Sequence, residues 1–223
     1  MEILEIGGVQ CAQSLKSNAE YLLIQPCDTE EFAELDSELT LLGDETPFSF
    51  AAFAVADWNR DLSPWAAPPV FGKEPFGGGG EATRIWLETE LLPRFPGLRA
   101  ILGGYSLAGL FSLWCAIQSD AYEGIAAASP SVWFPGWTQY AEKSRIKARR
   151  VYLSLGDRED RSKNPLLRTV RDAIGQLDSI LEQQGIEHRL EWNPGTHFVD
   201  PAGRTAKAFR WVLNPTNEND LNR

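Results

Sequence analysis

Residues 100–119 carry no charged side chain, and this run constrains the fold more than any other part of the sequence. About twenty apolar residues are enough to cross a bilayer. This stretch, however, is broken by Gly103, Gly104, Ser106, Gly109, Ser112 and Gln118. It reads as an apolar strand over 98–102, a tight turn, and a helix over 107–118 rich in large apolar residues. A strand and a helix that both lack a polar face must both be covered. The arrangement that covers them is a parallel sheet with helices packed on its two faces.

The remaining pattern agrees. Short apolar strands are predicted over 20–25, 48–56, 124–128, 151–155 and 186–192, and helices over 84–92, 166–184 and 202–213. A further helix places Phe32, Leu35, Leu39 and Leu42 at helical spacing behind a start signal at Asp28 or Thr29. Strands and helices alternate without repeats or a boundary, so the expectation is one α/β domain over 1–213 and a polar tail over 214–223. One connection is long. Residues 57–80 contain four prolines, five glycines and the aromatics Trp58, Trp65, Phe71 and Phe76. Loops of that length are usually functional or disordered, and the aromatic content argues for an ordered loop over a site.

Composition excludes several partners. Lys+Arg 21 against Asp+Glu 31 gives a net charge of −10, the wrong sign for a phosphate-binding surface. The local basic run Lys143, Arg145, Lys147, Arg149 and Arg150 reads as a solvated helix end leading into a strand. Cys11, Cys27 and Cys115 are odd in number and scattered, which suits a reducing compartment and offers no disulfide framework. The first residues, Met1-Glu2-Ile3-Leu4-Glu5, lack the basic and apolar regions of a secretory signal, so a cytoplasmic location is expected. Two distant histidines and three scattered cysteines give no metal-ligand spacing, and neither metal nor cofactor is expected. The glycine quartet 77–80 is not followed by Lys-Ser/Thr, and it reads as a hinge or helix lead-in.

The chemistry concentrates at the turn after the 98–102 strand. Gly104-Tyr105-Ser106-Leu107-Ala108 lies between a strand and a helix, the setting in which a strained turn lifts a serine clear of the sheet. Small residues are needed at 104 and 108, because larger side chains would collide as the turn closes. Ser106 is therefore the candidate nucleophile. Of the two histidines, His188 lies in a strand among Ile186, Leu190 and Trp192. His197 lies in the turn-rich loop Asn193-Pro194-Gly195-Thr196 before the last helix, where a general base belongs. An acid to orient that imidazole is offered just past the 151–155 strand by Asp157, Glu159 and Asp160. The order serine, acid, histidine is that expected of α/β-hydrolases.

On these residues the sequence resembles the esterase family of α/β-hydrolases that includes esterase D (S-formylglutathione hydrolase), the feruloyl esterases and the ferric-siderophore esterases. The matching pieces are Asp57-Trp58-Asn59-Arg60-Asp61-Leu62-Ser63-Pro64-Trp65, Pro75-Phe76-Gly77-Gly78-Gly79 and Gly103-Gly104-Tyr105-Ser106-Leu107-Ala108-Gly109-Leu110. They continue with Ala128-Ser129-Pro130-Ser131-Val132-Trp133, Ser154-Leu155-Gly156 with its acids, and Gly195-Thr196-His197-Phe198. The resemblance implies an α/β-hydrolase fold without a large cap domain, Ser106 as nucleophile and His197 as base. It selects Glu159, three residues past the strand-ending glycine, as the acid. The family usually has glycine where this chain has Ala108, so a slightly altered but working turn is expected.

The implied reaction is hydrolysis of a carboxylic ester or thioester through an acyl-enzyme, with a small-molecule substrate and no nucleic-acid or membrane partner. The Leu107 N–H is expected to serve as one oxyanion donor. The other should come from the loop after the 20–25 strand, where Pro26 has no N–H and Cys27 is the first choice. Trp58, Trp65 and Trp133 are candidates to line the pocket, with core packing as the competing role. Two other readings stand beside the esterase. One is a small-molecule binding protein of the same fold with an idle serine. The other is a nucleotide binder, which would need the Gly-x-Gly-x-x-Gly fingerprint that the first strand lacks.

Overall fold

The computed structural model describes residues 1–43, 46–70 and 72–214, so Phe71 and the polar tail from Pro215 lie outside the described residues. The chain opens with β1 (Glu2–Ile6) and β2 (Val9–Ser14), an antiparallel pair joined at Gly7 and Gly8. Both glycines have positive φ (54° and 81°), as a two-residue hairpin turn requires. Then come β3 (Tyr21–Cys27), α1 (Thr29–Leu42) and β4 (Phe48–Ala54). The long connection holds α2 (Trp58–Asp61), β5 (Ala66–Ala67) and β6 (Phe76–Gly77), and leads into α3 (Gly80–Trp86). The rest alternates: β7 (Arg99–Tyr105), α4 (Leu107–Gln118), β8 (Tyr122–Ala128), α5 (Trp137–Glu142), β9 (Arg150–Gly156), α6 (Val170–Gln183), β10 (Glu187–Asn193) and α7 (Pro201–Leu213).

Eight strands form one sheet in the order β1-β2-β4-β3-β7-β8-β9-β10. β2 runs antiparallel to β1 and β4, and every pair from β4 to β10 is parallel. Alternate residues of the central strands feed two cores. Leu22, Ile24, Leu102, Ile125, Val151 and Leu153 face the core shared with α3, α4, α5 and α6. Leu23, Ile101, Ala126 and Tyr152 face the core built with α1 and α7. Side chains such as Phe50, Phe111 and Phe209 are fully buried, each stabilising the fold by roughly 1.5–3 kcal/mol. With both faces covered, the carboxyl ends of β7 to β10 are left open, where a doubly covered parallel sheet puts its ligands.

The expected strands and helices are present, joined by β1, β2 and α5, which the sequence pattern did not predict, and three readings are revised. The helix expected over 84–92 begins at Gly80, widens into a π turn at Leu87–Leu91 and closes in a 3-10 turn at Leu92–Arg94. Pro93 sits within the first two residues of that turn, where no N–H is called for, so it is accommodated there. The connection over 57–80 is not a bare loop. Gly78 N–H donates to Ser63 Oγ (2.8 Å), Gly79 N–H to the Arg60 carbonyl (2.7 Å) and Gly80 N–H to the Ser63 carbonyl (3.0 Å). The glycine quartet thus fastens α2 to the start of α3.

Arg150 is the third revision. It is not part of a solvated helix end but is 7% exposed, with its guanidinium 4.7 Å from the Trp211 ring centre. It bonds Glu187 of β10 (2.9 Å), the Asn214 carbonyl (3.1 Å) and the Val212 carbonyl. Among the described residues no helix is long and apolar enough to cross a membrane. Among the described residues none of the three cysteines is joined in a disulfide, and all three are buried. Burial pushes the Cys11 thiol up to about 11 and raises Cys115 well above its usual value.

Candidate active site

Ser106 stands between β7 and α4 at φ 56° and ψ −116°, a backbone conformation that side-chain-bearing residues rarely adopt. Three hydrogen bonds hold it. Its N–H donates to the Ala128 carbonyl (3.0 Å), and its carbonyl accepts from the N–H groups of Leu110 (3.1 Å) and Ser131 (3.0 Å). A Cβ on Gly104 would lie 2.7 Å from the Ala108 Cβ, so the alanine methyl fills the space that the missing glycine side chain leaves. The turn closes with alanine at 108 because 104 is glycine.

The loop after β10 brings His197 to this serine, with Nε2 3.0 Å from Ser106 Oγ. On the other side of the ring, Nδ1 lies 2.8 Å from Glu159 Oε2. A carboxylate only accepts, so Nδ1 carries the proton and Nε2 is left to accept from the serine hydroxyl. Glu159 lies on the 3-10 turn Glu159–Arg161 just past β9, and its side chain is 5% exposed. Its second oxygen accepts from Gly156 N–H (2.7 Å), Ser129 Oγ (2.9 Å) and Arg204 Nη1 (3.2 Å). Every carboxylate oxygen is therefore occupied, which fixes the plane that the imidazole meets.

The other two acids do different work. Asp157 Oδ1 accepts from Gly195 N–H (2.8 Å) and so shapes the histidine loop. Asp160 pairs with Arg171 (2.7 Å). Three residues that the sequence reading did not single out complete the cluster. Arg204 of α7 is 4% exposed, donating to Glu159, to Ser129 Oγ (3.2 Å), to Tyr105 OH (3.1 Å) and to the Pro194 carbonyl (3.0 Å). Tyr105 OH donates to the His197 carbonyl (2.6 Å), and burial raises the phenol above its usual value, keeping it a donor. Ser129 takes a positive φ of 41° to reach Glu159. Their partners lie 10 to 99 residues away along the chain, and no local pattern signals such contacts. His188, as expected, is a strand residue, 3.3 Å from Asp178.

The Leu107 N–H opens α4, where the first N–H groups lack helical partners and favour negative charge. Cys27 fits less well as a second donor. Its carbonyl accepts from Val55 N–H (2.9 Å), and in a parallel ladder the N–H of that residue faces the same neighbour. Cys27 therefore turns its N–H toward β4 and not toward Ser106. Trp65 donates from Nε1 to the Pro135 carbonyl (2.9 Å) and packs on Phe134 and Tyr140. Trp133, 8% exposed, packs on Phe76 and Phe134. These two clamp the long connection to the segment after β8, contacts of the packing kind. Trp58 is half-buried against the same core. An open groove of about 1070 Å³ lined by Glu142, Arg171, Gln176, Ser179 and Gln184 contains none of the clustered residues.

No family model matches the chain, and no curated protein matches it. Solved structures do. An IroE-like serine hydrolase from Shewanella oneidensis aligns at a TM-score of 0.72 and 17% identity, over 91% of this chain and 74% of that one. Siderophore hydrolase EstB from Aspergillus nidulans aligns at 0.66 and 16%, over 95% and 92%. The enterobactin esterase Fes from Shigella flexneri aligns at 0.63 and 15%, over 95% of this chain but 58% of its own. Taken with the eight-stranded sheet and the serine turn after β7, these likenesses show that the chain has the α/β-hydrolase fold.

Proposed function

We propose that the chain is a serine esterase that hydrolyses a small carboxylic ester or thioester in two acyl-transfer steps. The observation that carries this reading is the line from Ser106 Oγ through His197 (3.0 Å) to Glu159 (2.8 Å), mounted on a strained strand-to-helix turn. The names of the similar structures, a serine hydrolase, a siderophore hydrolase and an enterobactin esterase, support the same chemistry.

Ser106 attacks the ester carbonyl while His197 takes its proton. The Glu159 carboxylate holds the imidazole and stabilises its cation. The Leu107 N–H binds the developing oxyanion, a contribution of roughly 10²–10³ in rate for each such donor. The imidazolium then gives its proton to the leaving alcohol or thiol. Water repeats the sequence on the acyl-enzyme, frees the acid and restores Ser106. The chain works as one domain over 1–213, in the cytoplasm, where cysteines outside any disulfide are the usual state.

The test is intact-mass labelling with a fluorophosphonate. The native chain is expected to take one adduct and Ser106→Ala none. A folded native chain without an adduct would overturn the reading and leave the idle binding protein in its place.

A further inference from the structure

A second hydroxyl touches the proposed nucleophile. Ser131 Oγ lies 3.2 Å from Ser106 Oγ, and Ser131 is 2% exposed. Its position is built. Ser131 N–H donates to the Ser106 carbonyl (3.0 Å), and its own carbonyl accepts from Phe134 N–H (3.0 Å). Pro130, just before it, packs against Gly109 of α4, where an added Cβ would lie 3.2 Å from the Pro130 Cβ. The segment after β8 is thus tied to the serine turn on two sides.

The proton count fixes the direction of the Ser131 contact. Ser106 has one hydroxyl proton, and two neighbours lie in reach of its oxygen, His197 Nε2 and Ser131 Oγ. Glu159 accepts at Nδ1, so Nε2 has a lone pair and takes the Ser106 proton. The remaining contact then has one possible sense, with Ser131 donating to a lone pair of Ser106 Oγ.

We propose that Ser131 is a further catalytic residue, whose hydroxyl stabilises the negative charge that Ser106 Oγ carries as it gives its proton to His197. The inference rests on the esterase reading. The Ser131 proton stays on Ser131 throughout, and only the Ser106 proton moves to the imidazole. At 3.2 Å the contact is long for two neutral hydroxyls, and it shortens as the acceptor becomes an anion. The bond is then stronger in the transition state than in the ground state, the condition for it to raise the rate. In the acyl-enzyme Ser106 Oγ is an ester oxygen and a weak acceptor. It regains charge only as the second tetrahedral intermediate collapses, so Ser131 assists the departure of Oγ in deacylation as well.

The experiment compares native protein, Ser131→Ala and Ser131→Cys in the rate of fluorophosphonate labelling and in turnover of p-nitrophenyl acetate. Cysteine fills the site with a somewhat larger atom and replaces the donor by a weak one, so a loss shared with alanine, which empties the site, follows the donor and not the packing, and it stands in if the alanine variant does not fold. Both variants are expected to label roughly ten- to a hundredfold more slowly. Their KM should stay within about twofold and the loss fall in kcat, with thermal midpoints close to native. Either folded variant reacting at the native rate would overturn the role of Ser131 alone. A native chain that takes no adduct would overturn the esterase reading and this inference together.

Discussion

At the scale of single residues, the site is decided by which acceptor each donor finds. Glu159 has one oxygen on His197 and three donors on the other, so its orientation leaves no freedom to turn away. Glu159→Gln keeps the shape but replaces an acceptor pair with an amide that can present N–H to Nδ1. The wrong imidazole tautomer is then favoured, and turnover is expected to fall roughly 10³–10⁴-fold. Asp160→Asn, which loses only its pair with Arg171, should stay within about twofold of native. Steady-state rates of the two folded variants check this, and retained turnover in Glu159→Gln would remove the acid from its place. Ser106 and His197 stand out in the sequence as candidates because their signals are local, a Gly-x-Ser-x-Ala turn and a loop histidine. Among three neighbouring acids, local chemistry left the choice open and the spacing implied by family resemblance pointed to Glu159. Arg204, Ser129 and Tyr105 act through contacts that only the closed sheet brings together.

The serine turn is the element on which the rest depends. Its compactness comes from one packed pair, Gly104 and Ala108. Gly104→Ala would set two methyl carbons about 2.7 Å apart, and overpacking of this kind costs roughly 1–3 kcal/mol. A lower thermal midpoint and slower fluorophosphonate labelling are expected. Adding Ala108→Gly should return part of both losses, since contacting residues couple. The return should be incomplete, because φ at 104 is 156°, which still disfavours a side chain. Equal losses in the single and double variants would mean that the two positions do not share this space. Legibility at this scale follows burial. Strands covered on both faces, such as β7 and β9, are runs of apolar residues and were read within a few residues of their ends. β1 and β2 were missed: they form the exposed antiparallel margin, where Glu-Ile-Leu-Glu-Ile is only partly covered and the pairing is carried by the Gly7-Gly8 turn. The short pieces of the 57–80 connection are held by side-chain and glycine contacts and have too little length to show a period.

Across the whole molecule, α7 braces the sheet through two buried arginines with different consequences. Arg150 of β9 reaches the C-terminal end of α7 and ties it to β10. Arg204, near the start of α7, ties the helix to the ends of β7, β9 and β10, where Tyr105, Glu159 and Pro194 lie. Losing either should destabilise the fold, but only Arg204 is joined to the groups that set the His197 ring. Arg204→Met leaves the 5%-exposed Glu159 side chain without its cation, and breaking such a buried pair costs about 3–5 kcal/mol. For a chain of this size the thermal midpoint should fall on the order of 10 °C. Arg150→Met leaves Glu187 half in solvent, so a smaller fall of about 5 °C is expected. The separating measurement is fluorophosphonate labelling well below both midpoints. Folded Arg150→Met should label at close to the native rate, whereas folded Arg204→Met should label at least tenfold more slowly, because Glu159 and the Pro194 carbonyl lose a shared anchor. Equal labelling by the two variants would show that α7 supports the sheet without holding the site, and that the strand ends alone keep His197 in register with Ser106.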